Sequence, residues 1–166
     1  FICDSPSELQ LGMISDADFA GDRADMRSTS GVFLALYGLH TFFPLSGQSK
    51  KHTAVLHSTV EAELAAADHA IRTSGLPALQ LWERLLGRPL QLDLFHDNQA
   101  TARIMFTGRA PTLRHIRRTH SVSVAWTHER ARSDDIKLYD CMSSVMAADL
   151  FTEQFISRGK WFQRVV

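Results

Sequence analysis

The segment 90–100 constrains the fold more than any other part of the sequence. Apolar and polar residues alternate over 90–94, and this period of two is typical of a β-strand. Asp97-Asn98, a pair that favours turns and helix N-caps, ends the alternation, and a helical pattern follows. Open α/β sheets bind ligands beyond the carboxyl ends of their strands. We therefore predict that Asp97 lies at the ligand-binding edge of such a sheet.

Chain length and composition indicate one globular domain. The sequence has 166 residues, of which 45% are hydrophobic and 22% charged, with no internal repeat or low-complexity tract. We predict a single domain over 1–166, with 1–8 as a lead-in and 156–166 as a C-terminal tail. No apolar run is long enough to span a bilayer, and Cys3 and Cys141 lack the spacing of a metal or redox motif. We expect an intracellular, cytoplasmic protein with two free thiols.

Charge is balanced over the whole chain but uneven along it. The chain has 18 basic and 18 acidic residues, so its net charge neither indicates nor excludes a nucleic-acid partner. Basic residues are concentrated in one segment, as Arg103, Arg109, Arg114, Arg117 and Arg118. We interpret this segment, together with Lys50, as a candidate phosphate-binding surface. The alternative is a solvated helix face.

The periodicity along the chain predicts the element order β-β-β-α-α-β-α-α-β-α. Strands are predicted over 9–14, 29–37, from 41 onward, over 90–96 and over 136–139. Helices are predicted over 58–75, 75–87, 98–108, 113–130 and 143–155. Three hairpin-connected strands followed by right-handed crossovers give a mixed five-stranded sheet, three strands antiparallel and the rest parallel, with helices on its faces. The fold class is therefore α/β.

Four acids stand at positions where a surface role is a poor explanation. Asp16 and Asp97 follow apolar runs that we interpret as strands one and four, which can be neighbours in the sheet. Glu63 lies in the first turns of a helix rich in alanine, and Asp149 is flanked by Ala148 and other small or apolar residues. Clustered carboxylates repel one another unless cations neutralise them, and such oxygen ligands favour Mg²⁺ or Mn²⁺. Two ions about 4 Å apart are the usual device for attack on a phosphodiester.

Six motifs, in order along the chain, make the pattern specific. They are SDADFAGD at 15–22, RSTSG at 27–31, SKK at 49–51, STVEAE at 58–63, DNQA at 97–100 and AADLFT at 147–152. In this order they resemble the ribonuclease H domain of copia-type LTR retrotransposon polyproteins, over about residues 10–155. The resemblance implies a ribonuclease H-like fold. It also implies Mg²⁺-dependent cleavage of the RNA strand of RNA–DNA hybrids, in a polyprotein beside reverse transcriptase and within virus-like particles.

The resemblance also implies roles for individual residues. The catalytic, metal-binding acids are Asp16, Glu63, Asp97 and Asp149, holding two Mg²⁺ ions for which Mn²⁺ can substitute. We expect one ion between Asp16 and Asp149, and a second between Asp16, Glu63 and Asp97. Contacts to the hybrid fall on Ser58, Thr59 and Gln99, with phosphate contacts from Lys50, Arg114, Arg117 and Arg118. For Ser58 a simple N-cap, in a capping box with Glu61, is an equally good interpretation.

Some alternatives remain open from the sequence. Asp18 competes with Asp16 as a ligand, and Glu61 competes with Glu63, since each pair is only two residues apart. No histidine lies between Asp134 and Asp149, where cellular ribonucleases H carry one, so we expect slower turnover rather than inactivity. The two rival functions are an inactive, nucleic-acid-binding module of a polyprotein and an integrase-type DNA strand-transfer core.

Overall fold

A computed structural model describes residues 3–21, 24–113, 115–142 and 146–152. The strands are β1 (Gln10–Asp18), β2 (Thr29–Tyr37), β3 (Phe42–Lys51), β4 (Leu92–His96) and β5 (Ile136–Asp140). The α-helices are α1 (Thr59–Ala70), α2 (Leu76–Leu86), α3 (Gln99–Thr107), α4 (Ile116–His120) and α5 (Val124–Ala131). A π-helical turn, Ile71–Gly75, joins α1 to α2, and Pro111–Leu113 and Ala147–Phe151 are 3₁₀-helical.

The five strands form one mixed sheet in the order β3-β2-β1-β4-β5. β1 pairs antiparallel with β2, and β2 pairs antiparallel with β3, as hairpin connections require. On its other side β1 pairs in parallel with β4, which in turn pairs in parallel with β5. β1 is therefore the central strand, and the predicted mixed five-stranded sheet is confirmed.

The core lies between the sheet and the helix α1. Alanines and Leu64 of α1 are buried, and the helix contacts β1 and β2. At the π-helical turn the backbone comes very close to the sheet, since a Cβ added to Gly75 would lie 2.6 Å from Leu92 Cδ2. The small residues of this helical segment therefore allow it to lie flat on the strands, which brings the side chain of Glu63 close to the sheet.

The start of α1 has the cap that its sequence predicts, with one difference. The hydroxyl of Ser58 accepts a hydrogen bond from the backbone N–H of Glu61 at 3.2 Å. In a standard capping box the glutamate returns to the N–H of the capping residue. Here Glu61 Oε2 instead accepts from the N–H of His57 at 2.8 Å, one residue earlier. The cap therefore also fixes the loop that leads into the helix.

Three predicted elements need correction. The single long helix over 113–130 is wrong: Ser121 adopts a left-handed conformation with φ 58° and ends α4, and Ser123 then caps α5. β1 extends to Asp18, so Asp16 lies within the strand and not at its end. The last predicted helix is a 3₁₀ segment where it is described, and 143–145 and 153–155 lie outside the described residues. Within the described ranges, no helix has both the length and the apolar character needed to cross a membrane.

Candidate metal centre

Three of the four predicted acids meet above the sheet. Asp16, Glu63 and Asp97 each offer a carboxylate oxygen, and these three oxygens all lie within 4.8 Å of one another. They come from β1, from α1 and from the residue that follows β4. Glu63 is buried, whereas Asp16 and Asp97 are half-buried, so the cluster has one side open to solvent. In each of the ambiguous pairs, it is Glu63 and Asp16, not Glu61 and Asp18, that belong to this cluster.

Burial and like charges oppose the ionisation of Glu63. Desolvation, followed by the charges of Asp16 and Asp97, raises the pKa of the Glu63 carboxyl from 4.5 to about 9, although the backbone N–H of Ala17 opposes the shift. Without a cation, this carboxyl is therefore neutral at pH 7. A divalent cation would favour its ionised form, and a donor set made of carboxylate oxygens suits Mg²⁺ or Mn²⁺.

The backbone around Asp97 is held in place by the start of α3. Asn98 caps this helix, since its side-chain oxygen accepts a hydrogen bond from the N–H of Thr101 at 3.0 Å. β4 ends at His96, so Asp97 occupies the one-residue link between the last strand residue and the cap. The predicted strand-to-helix turn thus positions the acid beside β1, the strand with which β4 pairs.

Asp149 lies close to this cluster without being part of it. Its side chain is buried on the 3₁₀ segment Ala147–Phe151, and its charge contributes to the raised pKa of Glu63. The segment can approach because Asp16 is paired with Gly31 of β2, and a Cβ on Gly31 would lie only 2.5 Å from the carbonyl oxygen of Ala148. Thr152 then donates a hydrogen bond from its hydroxyl to Asp16 Oδ2 at 2.5 Å. Asp149 is thus positioned on the Asp16 side of the cluster.

Two residues at the cluster had no role assigned from the sequence. His96 is fully buried, its Nε2 lies 3.9 Å from Glu63 Oε2, and burial lowers the pKa of its imidazole. Thr152 ties the 3₁₀ segment to Asp16. The position of His96 directly before the strand acid, and that of Thr152 in the last motif, were the available signals.

Cys141, a free thiol, also lies near these acids, and burial followed by the charge of Asp97 raises its pKa to about 11.

The candidate nucleic-acid contacts do not form one compact group. Ser58 is half-buried and Thr59 and Gln99 are exposed, each in the first turn, or at the cap, of a helix whose start lies near the acids. Lys50 is exposed at the end of β3, with its Nζ 3.5 Å from His69 Nδ1. Arg117 and Arg118 are exposed on α4, and Arg114 lies outside the described residues. The described basic residues therefore lie on two separate elements on the surface.

Comparison with known proteins places this arrangement within a known architecture. No family model matches the chain. No curated protein matches it either. It is similar in structure to LC11-RNase H1, isolated from compost by a metagenomic approach, with 15% identity and a TM-score of 0.57 over 86% of this chain and 92% of that one.

A second solved structure, the prototype foamy virus protease–reverse transcriptase, matches at 15% identity and a TM-score of 0.47, over 97% of this chain and 20% of that one. An N-terminal RNase H domain from Mycobacterium tuberculosis matches at 12% identity and a TM-score of 0.46, over 87% of this chain and 91% of that one. The strand order, the helices and the likeness to LC11-RNase H1 lead to one conclusion: the chain has a ribonuclease H-like fold.

Proposed function

We propose that this chain is a divalent-metal-dependent nuclease that hydrolyses the RNA strand of RNA–DNA hybrids. The observation that carries the proposal is the convergence of Asp16, Glu63 and Asp97 within 4.8 Å, on a ribonuclease H-like fold. The raised pKa of Glu63 supports a cation at this place, because burial and then the nearby charges of Asp16 and Asp97 disfavour its ionised form when no cation is bound. Mg²⁺ bound there would polarise the scissile phosphate and lower the pKa of an attacking water.

In this proposal Asp16 would contribute to two ion sites, one on each side of its carboxylate. On one side, Glu63 and Asp97 share the cluster with it, and this side would hold the ion that stabilises the leaving oxygen. On the other side, the hydrogen bond from Thr152 directs one oxygen of Asp16 towards the segment that carries Asp149. Asp149 and Asp16 would hold the ion on the side of the attacking water. Cleavage in this geometry leaves a 5′ phosphate and a 3′ hydroxyl.

Recognition of the hybrid would rest on contacts at the helix starts beside the acids. Selection of RNA needs contacts to 2′-hydroxyl groups across the wide minor groove. Thr59 and Gln99 are exposed at the right ends of α1 and α3 for this role, and the half-buried Ser58 can add a contact while it caps α1. Lys50, Arg117, Arg118 and, from the sequence, Arg114 would bind phosphates without sequence preference, so the affinity would fall with salt.

Substitution of Asp97 by Asn tests the metal-dependent nuclease. With Mg²⁺, the wild-type chain should cleave the RNA strand of a labelled hybrid, and EDTA should stop it. Asp97→Asn should reduce cleavage at least about a thousandfold, an amount typical of the loss of an essential catalytic group, and still bind the hybrid. Equal cleavage by Asp97→Asn and the wild-type chain would remove the metal-centre assignment.

Variants of two predicted ligands, and of the competing Asp18, test the ligand assignment in the same assay. Asp16→Asn and Glu63→Gln should abolish cleavage. Asp18→Asn should leave it within about threefold of the wild-type rate, because Asp18 lies outside the cluster. If Asp18→Asn abolished cleavage and Asp16→Asn did not, Asp18 and not Asp16 would be the metal ligand.

The same assay separates the rival functions. An integrase-type core would nick or join supercoiled DNA and spare the hybrid, and an inactive module would bind the hybrid without cutting it. The proposed biological setting is a copia-type LTR retrotransposon polyprotein, with reverse transcriptase as the neighbouring domain and the cytoplasm or virus-like particles as the location. Fusion to its own reverse transcriptase region should increase the cleavage rate at low hybrid concentration, since two binding modules then act on one substrate.

A further inference from the structure

A second cluster of ionisable side chains surrounds Glu61, two residues before the acid of the metal centre. Glu61 is completely buried. Its Oε1 lies 3.2 Å from His115 Nε2 and 3.3 Å from His120 Nε2. Its Oε2 accepts the backbone N–H of His57, whose ring lies 5.6 Å from the His115 ring between centroids. Two imidazoles, one from the residue before α4 and one from its last residue, thus contact one buried carboxylate, which also accepts the backbone N–H of His57.

The Glu61 cluster is separate from the candidate metal centre. Side chains two residues apart on an α-helix point about 200° apart around its axis. Glu63 faces Asp16 and Asp97, whereas Glu61 faces the segment that leads into α4 and the end of that helix. The donors also differ, with carboxylate oxygens alone in one cluster and imidazole nitrogens with one carboxylate in the other. Imidazole donors favour zinc and related transition metals, and carboxylate donors alone favour Mg²⁺.

Two of the three donor-to-donor distances in the Glu61 cluster match the edges of a tetrahedral metal site. Zinc binds nitrogen and carboxylate oxygen at about 2.0–2.2 Å, so neighbouring ligand atoms of a tetrahedral site lie roughly 3.3–3.5 Å apart. The two measured separations, 3.2 and 3.3 Å from Glu61 Oε1, are close to this value. In addition, Glu61 Oε1 and His120 Nε2 are buried, and neither has a partner with good hydrogen-bond geometry among the described residues.

One adjustment is needed before an ion can bind. The donor atoms of Glu61, His115 and His120 do not all lie within 4.8 Å of one another, unlike those of the metal centre. Since both imidazoles already contact the same oxygen, the edge that has to shorten is the one between the two nitrogens. The side chain of His115 is 43% exposed, so its ring has room to rotate towards His120, which is nearly buried.

We propose that Glu61, His115 and His120 bind a zinc-class divalent cation, with His57 or water as the fourth ligand. The ion would cross-link the start of α1 to the segment 115–120. That segment carries Arg117 and Arg118, so the site would be structural and would order a basic surface. The proposal does not depend on the nuclease activity, because it concerns a different set of donors.

Cobalt and zinc binding test this proposal directly. The protein is stripped of metal, and the Asp97→Asn variant is used as the background so that the acidic metal centre is weakened. Co²⁺ should give the intense visible absorption of a tetrahedral ion, and titration calorimetry with Zn²⁺ should show one site. His115→Ala and His120→Ala should each weaken Zn²⁺ binding more than about tenfold, the loss that even an outer-shell partner of a metal ligand causes.

Two further variants keep the test decisive. His40→Ala removes an exposed histidine far along the chain from the cluster and should leave Zn²⁺ affinity unchanged. His115→Cys should retain binding and add a sulfur-to-cobalt charge-transfer band, and it should fold because His115 is half-exposed. Zinc affinity that His115→Ala leaves unchanged, or a Co²⁺ spectrum without tetrahedral bands, would overturn the proposal.

Discussion

The carboxyl group of Glu63 is held protonated by its surroundings at neutral pH. Its pKa is about 9 because the side chain is buried and because Asp16 and Asp97 are close. Between pH 4.5 and 9, the metal-free folded protein thus keeps a proton that the unfolded chain has released. The free energy of unfolding therefore contains a contribution that is fully present below pH 4.5 and is lost as the pH rises through 9.

Glu63→Gln should remove this pH dependence. In EDTA, the variant should gain stability relative to the wild-type protein as the pH rises from 5 to 8, by at most about 1.4 kcal/mol per pH unit. Urea unfolding at several pH values measures the difference. Glu129→Gln, at an exposed acid, is the control and should follow the wild-type curve. A constant difference between Glu63→Gln and the wild-type protein would contradict the raised pKa.

The choice between neighbouring acids could not be made from the sequence alone. Asp16 and Asp18 are two residues apart on one strand and share a face of the sheet, so strand periodicity treats them as equal. Glu61 and Glu63 point to opposite sides of α1, but which side meets the sheet depends on packing. The sequence did not indicate a role for His96 for the same reason. Its burial against Glu63 is a long-range contact that depends on how α1 packs on the sheet.

Among the elements, the contact between β2 and the 3₁₀ segment Ala147–Phe151 decides where Asp149 lies. Gly31 makes this contact possible, because any larger residue would meet the carbonyl oxygen of Ala148. Hydrogen bonding from Thr152 to Asp16 then closes the contact. A change at Gly31 should therefore act on the centre through the position of a neighbouring element, although Gly31 offers no ligand.

Gly31→Ala should reduce hybrid cleavage more than about tenfold and lower stability by about 1–3 kcal/mol, the usual range for overpacking. Gly87→Ala is the matched control. Gly87 has φ 67° and nothing within 4 Å of an added Cβ, so the change should lower stability by about 1–2 kcal/mol without affecting cleavage. Cleavage rates and thermal unfolding of both variants measure the difference. If both variants cleave at the wild-type rate, the role of Gly31 in positioning Asp149 is wrong.

Element boundaries were predictable where local signals were strong. β2 has the predicted bounds, because a run of β-branched and apolar residues ends directly before Gly38. The helix predicted over 113–130 failed because apolar spacing continued across a break that Ser121 and Ser123 create. Serine before an apolar run is an N-cap signal, so the sequence contained a signal for the start of α5. It contained no signal for the left-handed conformation of Ser121, since serine rarely adopts that conformation.

At the scale of the whole molecule, the metal centre joins parts of the chain that are far apart in sequence. Its three acids come from positions 16, 63 and 97, and each rests on a different element. An ion that binds them binds only the folded chain. Ligand binding to the native state alone stabilises it in proportion to the logarithm of ligand concentration.

Mg²⁺ should therefore raise the melting temperature of the wild-type protein. At a concentration about 100 times the Kd, the stabilisation is about 2.7 kcal/mol, which corresponds to roughly 5–10 °C for a chain of this size. Asp97→Asn should lose most of this rise, and His40→Ala, far from the acids, should retain it. Thermal melts in EDTA, with Mg²⁺ and with an equal ionic strength of NaCl separate ion binding from screening. An equal rise with NaCl would contradict a specific site.

The central position of β1 has a consequence for synthesis on the ribosome. The β1–β2 and β2–β3 hairpins can form as soon as residue 51 has left the exit tunnel, but the second edge of β1 stays open until β4 is complete at His96, about 45 residues later. In that interval the nascent polypeptide exposes unpaired backbone N–H and C=O groups along an apolar strand, a template for pairing between chains. Translation that stalls between these two points should yield aggregates, whereas polypeptides that extend past β4 have this edge covered.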